Sequence, residues 1–306
     1  MTLPKITKEF LRKHNIRIKK RLGQNFLIDE GILNRIVEIA DLGKDDIVIE
    51  IGPGMGTLTK KLAEKAKKIL AIEIDENLVK LLRETLVPFK NVEIIHADIL
   101  KINLKKLVTQ LPSYPVTQFK TGKLTDWRTG KLANKVKVVA NLPYYITTPI
   151  IIHLLKARKT LSNIVIMVQK EVGRRMVAKP RTKDYGALSL LIQYYTKPQI
   201  AIKVPRSAFL PEPEVDSCVV DLEIREKPAV KAKDEELFFK VVRAAFEQRR
   251  KALKNALSQT RDLRLDKKKV LKILEKADIK PLRRGETLSL EEFARLSNLI
   301  AKKDVG

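Results

Sequence analysis

The sequence predicts an open α/β sheet of mostly parallel strands followed by a small all-helical region, and three observations carry that prediction. Short, nearly all-apolar runs at 47–51, 69–74, 136–140 and 163–168 recur between stretches of helical periodicity, the pattern of strands buried on both faces. The first run leads through the turn Gly52-Pro-Gly-Met-Gly56 straight into a helical stretch. Beyond residue 229 strands vanish and only helical spacing remains. The expected organisation is a basic arm at 1–22, an α/β domain at 23–228 with an insertion at about 111–135, and a helical domain at 229–306.

Composition narrows the partner. The 306 residues hold 62 Lys+Arg against 36 Asp+Glu, a net charge of +26, which points to a polyanion, nucleic acid first and an anionic membrane second. Residues 1–22 carry eight Lys/Arg and one Glu. Residues 229–306 carry 21 basic and 12 acidic side chains, including Gln248-Arg-Arg-Lys251 and Lys267-Lys-Lys269. Both read as phosphate-contacting surfaces. The single Cys218 excludes an internal disulfide, and with three His residues a metal site is not expected. No run reaches the ~18 apolar residues of a membrane span. The single cysteine suits a reducing compartment, and the N-terminus lacks a secretory core. Its basic, acid-poor start also fits a mitochondrial presequence, disfavoured because the basic run continues directly into Leu22-Gly-Gln-Asn-Phe-Leu27, so a cytoplasmic setting is expected.

Taken in order, residues 30–40 space Ile32, Leu33, Ile36, Val37 and Ala40 for one helix face. Strand 47–51 then enters the glycine turn, where Gly52 and Gly54 let backbone N–H groups approach a ligand at a helix start. The helix runs from 57 to about 66. The next strand, 69–74, ends in Glu73, an acid placed to take both hydroxyls of a ribose. This order suits NAD or S-adenosylmethionine. The third glycine comes one residue earlier than in the dinucleotide fingerprint, and Glu50 before the turn suits a cationic, amino-acid-bearing ligand, so S-adenosylmethionine is favoured. A helix over about 76–86 and a strand at 92–95 precede Asp98, either an acceptor for the cofactor's adenine amine or a helix N-cap. The insertion repeats Thr-Gly-Lys-Leu at 121–124 and 129–132 and reads as a hairpin or long loop.

Strand 136–140 ends in Asn141-Leu-Pro-Tyr144. The exocyclic amine of a nucleobase is a poor nucleophile because its lone pair is delocalised into the ring. Two acceptors at its N–H groups, the Asn141 side-chain oxygen and the Leu142 carbonyl, let the nitrogen become tetrahedral as it attacks. Pro143 stiffens the loop and Tyr144 offers a face to an adenine. After a helix at 149–157 and strand 163–168 comes a helix start at 169–176. Residues 186–195 read as helical, and strands at 200–204 and 217–224 flank a Pro-rich loop that presents Phe209, the expected second wall of the base slot or else core filler. Helices are expected at 237–257, 267–277 and 290–301.

Together, Arg21–Leu27, Glu50–Thr59, Glu73, Ala97-Asp98, Asn141–Thr147, Phe209–Ser217, Phe246–Lys251 and Arg284–Asn298 resemble the small-subunit ribosomal RNA adenine dimethyltransferases of bacterial kasugamycin-resistance type. The resemblance implies a Rossmann-like class I methyltransferase with a seven-stranded, mostly parallel sheet and a small all-α C-terminal domain. It implies that Asn25, Leu27, Gly52, Glu73, Asp98 and Asn141 contact S-adenosylmethionine. The substrate it implies is a pair of adjacent adenosines, each methylated twice at N6, in the 3′-terminal hairpin loop of small-subunit rRNA. The expected partner is then the immature small ribosomal subunit, bound by a monomer. The related macrolide-resistance methylases resemble Asn-Ile-Pro-Tyr at the motif, so Leu142 favours the ribosome-assembly branch. The alternatives are an RNA-binding assembly or transcription factor that keeps the fold without catalysis, and an NAD-linked oxidoreductase, which the glycine spacing disfavours.

Overall fold

The computed structural model describes residues 22–109, 136–248, 250–260 and 265–301, together with 7, 9, 11–14, 16, 18, 19, 262 and 263. The insertion expected at 111–135 lies outside these residues. The chain divides into two compact units, residues 1–170 with 200–224, and residues 171–199 with 225–306.

Nine strands are present among the described residues: β1 (Phe26–Leu27), β2 (Ile47–Ile51), β3 (Lys68–Glu73), β4 (Val92–His96), β5 (Val136–Asn141), β6 (Asn163–Gln169), β7 (Thr196–Val204), β8 (Phe209–Leu210) and β9 (Ser217–Ile224). Seven form one sheet in the order β4-β3-β2-β5-β6-β9-β7, while β1 and β8 make a separate antiparallel ribbon. The pairs β3–β4, β2–β3, β2–β5 and β5–β6 are parallel, and β9 runs antiparallel to β6. The apolar runs explain this arrangement: every residue of β2 is buried, so the strand belongs at the centre with helices on both faces.

Helix Glu30–Ala40 buries Leu33, Ile36 and Ala40 against the sheet core. Asp29 caps its start by accepting from Ile32 N, and at its other end Asp41 adopts φ 45°. There the buried Lys137 donates to the carbonyls of Ala40 and Asp41 and pairs with Asp46 at 3.0 Å. A lysine inside a buried strand is thus neutralised and hydrogen-bonded, and removing it would strand the Asp46 charge. Part of the basic arm also packs. Leu11 is buried with Phe26, Met55, Leu78 and Leu81, and Ile16 and Ile18 lean on the same cluster.

The second unit is built on aromatic contacts. Tyr194 and Phe238 stack with ring centroids 4.9 Å apart, Tyr185 meets Phe246 edge-on at 6.0 Å, and Tyr185 Oη donates to Leu288 O at 2.9 Å. These rings draw helix Ala187–Tyr195 and the segment before it into the helical unit, so contacts divide the chain at 171–199 as well as near 225, not at 228/229 alone. The stretch read as one helix at 237–257 is two, Glu235–Glu247 and Leu253–Gln259. No Pro or Gly marks the break. It is held by distant backbone, Leu253 N donating to Arg283 O and Lys254 N to Pro281 O. Gly285 is needed where backbones meet, since a Cβ there would lie 2.7 Å from Ala245 O. No helix among the described residues is long and apolar enough to cross a membrane.

Candidate active site

The sheet order brings the two sequence motifs together. The chain runs outward from β2 through β3 to β4, then returns to place β5 on the other side of β2, creating the switch point at which open α/β sheets bind ligands. Parallel register sets Ile51 beside Ala140, so the glycine turn and Asn141 leave neighbouring strand ends. A cleft of about 1140 Å³, counting its open mouth, lies there. Asn25 and Leu27 line it from the N-terminal segment, Gly52 and Gly54 from the turn, Glu73 and Asp98 from the ends of β3 and β4, and Asn141, Leu142, Pro143 and Tyr144 from β5. Its lining, backbone N–H groups and carboxylates on one side and an amide–proline–tyrosine loop on the other, suits a nucleoside-type ligand.

On the β2–β3 side the groups are acidic and ordered by backbone. Glu73 Oε1 accepts from Ile74 N and Asp75 N, each at 2.9 Å, and Oε2 accepts from Gly54 N at 3.3 Å. Burial pushes its carboxyl above the ordinary value, with those N–H groups opposing. Gly54 sits at φ 60° with the Phe26 ring 3.1 Å from where a Cβ would be, so a side chain there is excluded twice over. Glu50 is 1 % exposed, and burial pushes its carboxyl up to about 8, with Thr59 opposing. Among the described residues neither Glu50 Oε2 nor Thr59 Oγ1 has a hydrogen-bond partner. A buried carboxyl with one unpartnered oxygen lining the cleft fits a cationic ligand group, which would favour its ionised form. Asp98 does cap the short turn Ile99–Lys101, accepting from Leu100 N at 2.9 Å, while still lining the cleft.

The Asn141 loop is neutral and stiff. Pro143 takes φ −60°, and Thr147 Oγ1 closes back on Pro143 O at 2.9 Å. Leu142 N donates to Met167 O at 3.1 Å, tying the loop to the end of β6. Asn141 Nδ2 donates to the backbone carbonyl of Asn25 at 3.0 Å. A carbonyl only accepts, so this bond decides which way the amide points and leaves Oδ1 as the free acceptor. Asn25 therefore acts through its backbone, a role no side-chain pattern announces.

Phe209 departs from expectation. Its ring is 2 % exposed among Leu27, Leu33, Ile36 and Val204 and does not line the cleft. Pairing of β8 with β1 turns it inward, and a ring with no open face cannot stack a base. Core filler is the role the structure gives it. Sequence reasoning missed the clamp at Asp75, which accepts from Lys19 Nζ at 2.6 Å and Gln24 Nε2 at 2.8 Å and is held below its ordinary carboxylate value, burial opposing. Asp75 is also the N-cap of helix Glu76–Thr85, accepting from Asn77 N. Also missed were the exposed Ile74 and Tyr145, both lining the cleft.

A glycine turn after the first parallel strand, an acid ending the second, and an amide–proline–tyrosine loop ending the strand beside them define a Rossmann-like methyltransferase that works on an amine nitrogen. The family model described as "Ribosomal RNA adenine dimethylase" matches residues 15–296, and the chain belongs to this family. It is 47 % identical over 300 residues, 98 % of both chains, to "Ribosomal RNA small subunit methyltransferase A" of Alkaliphilus oremlandii. It is 49 % identical over 298 residues, 97 % of this chain and 96 % of the relative, to the protein of that name from Bacillus cytotoxicus. Among solved structures it resembles a dimethyladenosine transferase from Plasmodium falciparum (TM-score 0.70, 27 % identity, covering 88 % and 94 %). It also resembles the 23S rRNA methyltransferase ErmE (TM-score 0.65, 27 % identity, covering 91 % and 100 %). The chain is accordingly an S-adenosylmethionine-dependent rRNA adenine methyltransferase.

Proposed function

We propose that the chain places two methyl groups on N6 of each of two adjacent adenosines in the 3′-terminal hairpin loop of small-subunit rRNA. It does so as a cytoplasmic monomer acting on the immature small subunit. S-adenosylmethionine, when bound, supplies a methyl carbon already activated on a sulfonium, so no protein nucleophile is required. Glu73 takes the ribose hydroxyls, the backbone at Gly52 and Gly54 admits the ligand closely, Asp98 and Asn25 border it, and Glu50 offers its free oxygen to the cationic amino-acid end. Asn141 Oδ1 and Leu142 O accept from the target amine as its nitrogen turns tetrahedral, and Tyr144 stacks the extruded base. The transient ammonium is strongly acidic, so its proton leaves to water. The basic arm and the helical unit hold the RNA backbone.

The observation that carries this reading is the Asn141 amide, oriented by Asn25 O so that its oxygen is free. Mass mapping of 3′-end rRNA methylated in vitro tests it. Two neighbouring dimethyladenosines are expected, and unmodified RNA or methylation elsewhere would refute it.

A further inference from the structure

We propose that Ser217 is a positioning residue for methyl transfer, its hydroxyl fixing the Tyr144 ring in the plane against which the target adenine stacks. The inference rests on the reading of Asn141–Tyr144 as the target-base site. Tyr144 Oη and Ser217 Oγ lie 2.6 Å apart. Ser217 is wholly buried, whereas Tyr144 is part-exposed in the cleft. A phenylalanine would stack a base as well as a tyrosine does. What the hydroxyl adds is a tether at the far end of the ring, whose two side-chain torsions are otherwise held only by packing.

The tether is anchored in the sheet rather than in a loop. Ser217 opens β9 and faces Gln169, the last residue of β6, in antiparallel register. β6 in turn pairs with β5, so one strand separates the anchor from the strand that carries Asn141. The residue before it is pinned on both sides. Asp216 O accepts from Lys170 N at 3.0 Å, and its carboxylate pairs with Lys170 Nζ at 3.0 Å and accepts from Arg206 N at 3.3 Å. Burial raises the Tyr144 phenol above its ordinary value, so the hydroxyl stays protonated across the working range. Ring angle matters most in the second methylation. The amine then carries a methyl group and offers one N–H instead of two, so alignment depends on the stacking wall more than on the two acceptors.

The test uses the full chain, radiolabelled S-adenosylmethionine and unmethylated small subunits, comparing Ser217→Ala, Tyr144→Phe, the double variant and Ser217→Thr. Each of the first two should lower kcat about tenfold, as a small misplacement does, leave cofactor affinity unchanged, and raise the monomethyl fraction. The double variant should be no slower than the slower single, and Ser217→Thr, which keeps the hydroxyl, should recover most of the rate. Wild-type kcat and product ratio in Ser217→Ala, or penalties that multiply in the double variant, would overturn the assignment. Should Ser217→Ala melt early, Tyr144→Phe decides instead, because it removes the same bond without touching the buried strand, and wild-type behaviour there overturns the assignment. A wild-type chain that methylates no adenosine overturns the base-site reading and the inference with it, an outcome distinct from an active wild type with an indifferent Ser217→Ala.

Discussion

The rim of the cleft made by the ends of β2 and β3 is acidic and ordered by backbone N–H groups, whereas the Asn141–Tyr144 rim carries no charge. Glu73 commits both oxygens to three backbone donors, and Glu50 waits beside it with one oxygen unpartnered. Across the cleft the working atoms are an amide oxygen and a carbonyl, aimed by a proline, a threonine and the Asn25 backbone. The difference follows from timing. A cofactor that arrives charged is held by charge, while a nitrogen that becomes positive only during transfer is best met by fixed dipoles, which need no reorganisation as the charge develops. Charge on the second rim would grip the ground state as well and slow release.

That division is open to attack on each side, starting with the acid rim. The Glu50 carboxyl lies at about 8 in the folded, ligand-free chain against 4.5 ordinarily. The folded form thus keeps a proton that the unfolded chain releases, so stability should fall as pH rises from about 4.5 to about 8 and level off above. Such a shift corresponds to about 5 kcal/mol at most. Urea denaturation at several pH values should show the decline in wild type and a much flatter profile in Glu50→Gln; parallel profiles would mean that Glu50 is ionised in the empty cleft. Cofactor binding below pH 8 should also release a proton, visible as a buffer-dependent enthalpy in calorimetry.

On the neutral rim, Asn141→Ala should leave cofactor affinity within a few-fold yet cut kcat by about 10²–10³, the usual cost of one preorganised acceptor. Equal losses in affinity and rate would erase the distinction between the rims. Glu73→Ala should do the reverse, weakening the cofactor roughly 30-fold through two lost hydroxyl bonds while sparing kcat at saturation. The smallest effect concerns neither rim. Arg12 and Lys13 are exposed while the neighbouring Leu11 is buried. Replacing both by Gln should reduce the log–log salt slope of RNA binding by about 0.7–0.9 for each phosphate no longer neutralised, and an unchanged slope would show that these two cations do not reach the RNA.

Much of this was legible in the sequence because its signals are local. Short, nearly all-apolar runs such as Ile47–Ile51, set between helical stretches, read as buried strands, and the glycine turn beside Glu50 and Glu73 announces a ligand before any fold is drawn. Three things were not legible, each because it is decided by a distant partner. The break between Glu235–Glu247 and Leu253–Gln259 is held by carbonyls of Pro281 and Arg283. An aromatic in a Pro-rich loop can be presented or buried, and pairing with Leu27 decided the latter for Phe209. The direction of the Asn141 amide depends on a backbone oxygen more than a hundred residues earlier. Chemistry could be read from residue types; orientation could not.

The ribbon of β1 and β8 has one more consequence, for the order in which the protein comes into being. Leu27 has Phe209 as its partner, about 180 residues later along the chain. Closing so long a loop is slow and costs entropy. While the chain is being synthesised, β2 and β5 can find each other, setting the glycine turn beside Asn141, well before β8 exists. The segment that carries Asn25 gains its strand partner only afterwards, and with it the hold on the amide. The shape of the cleft thus rests on pairings closer in sequence than the pairing that fixes its aim.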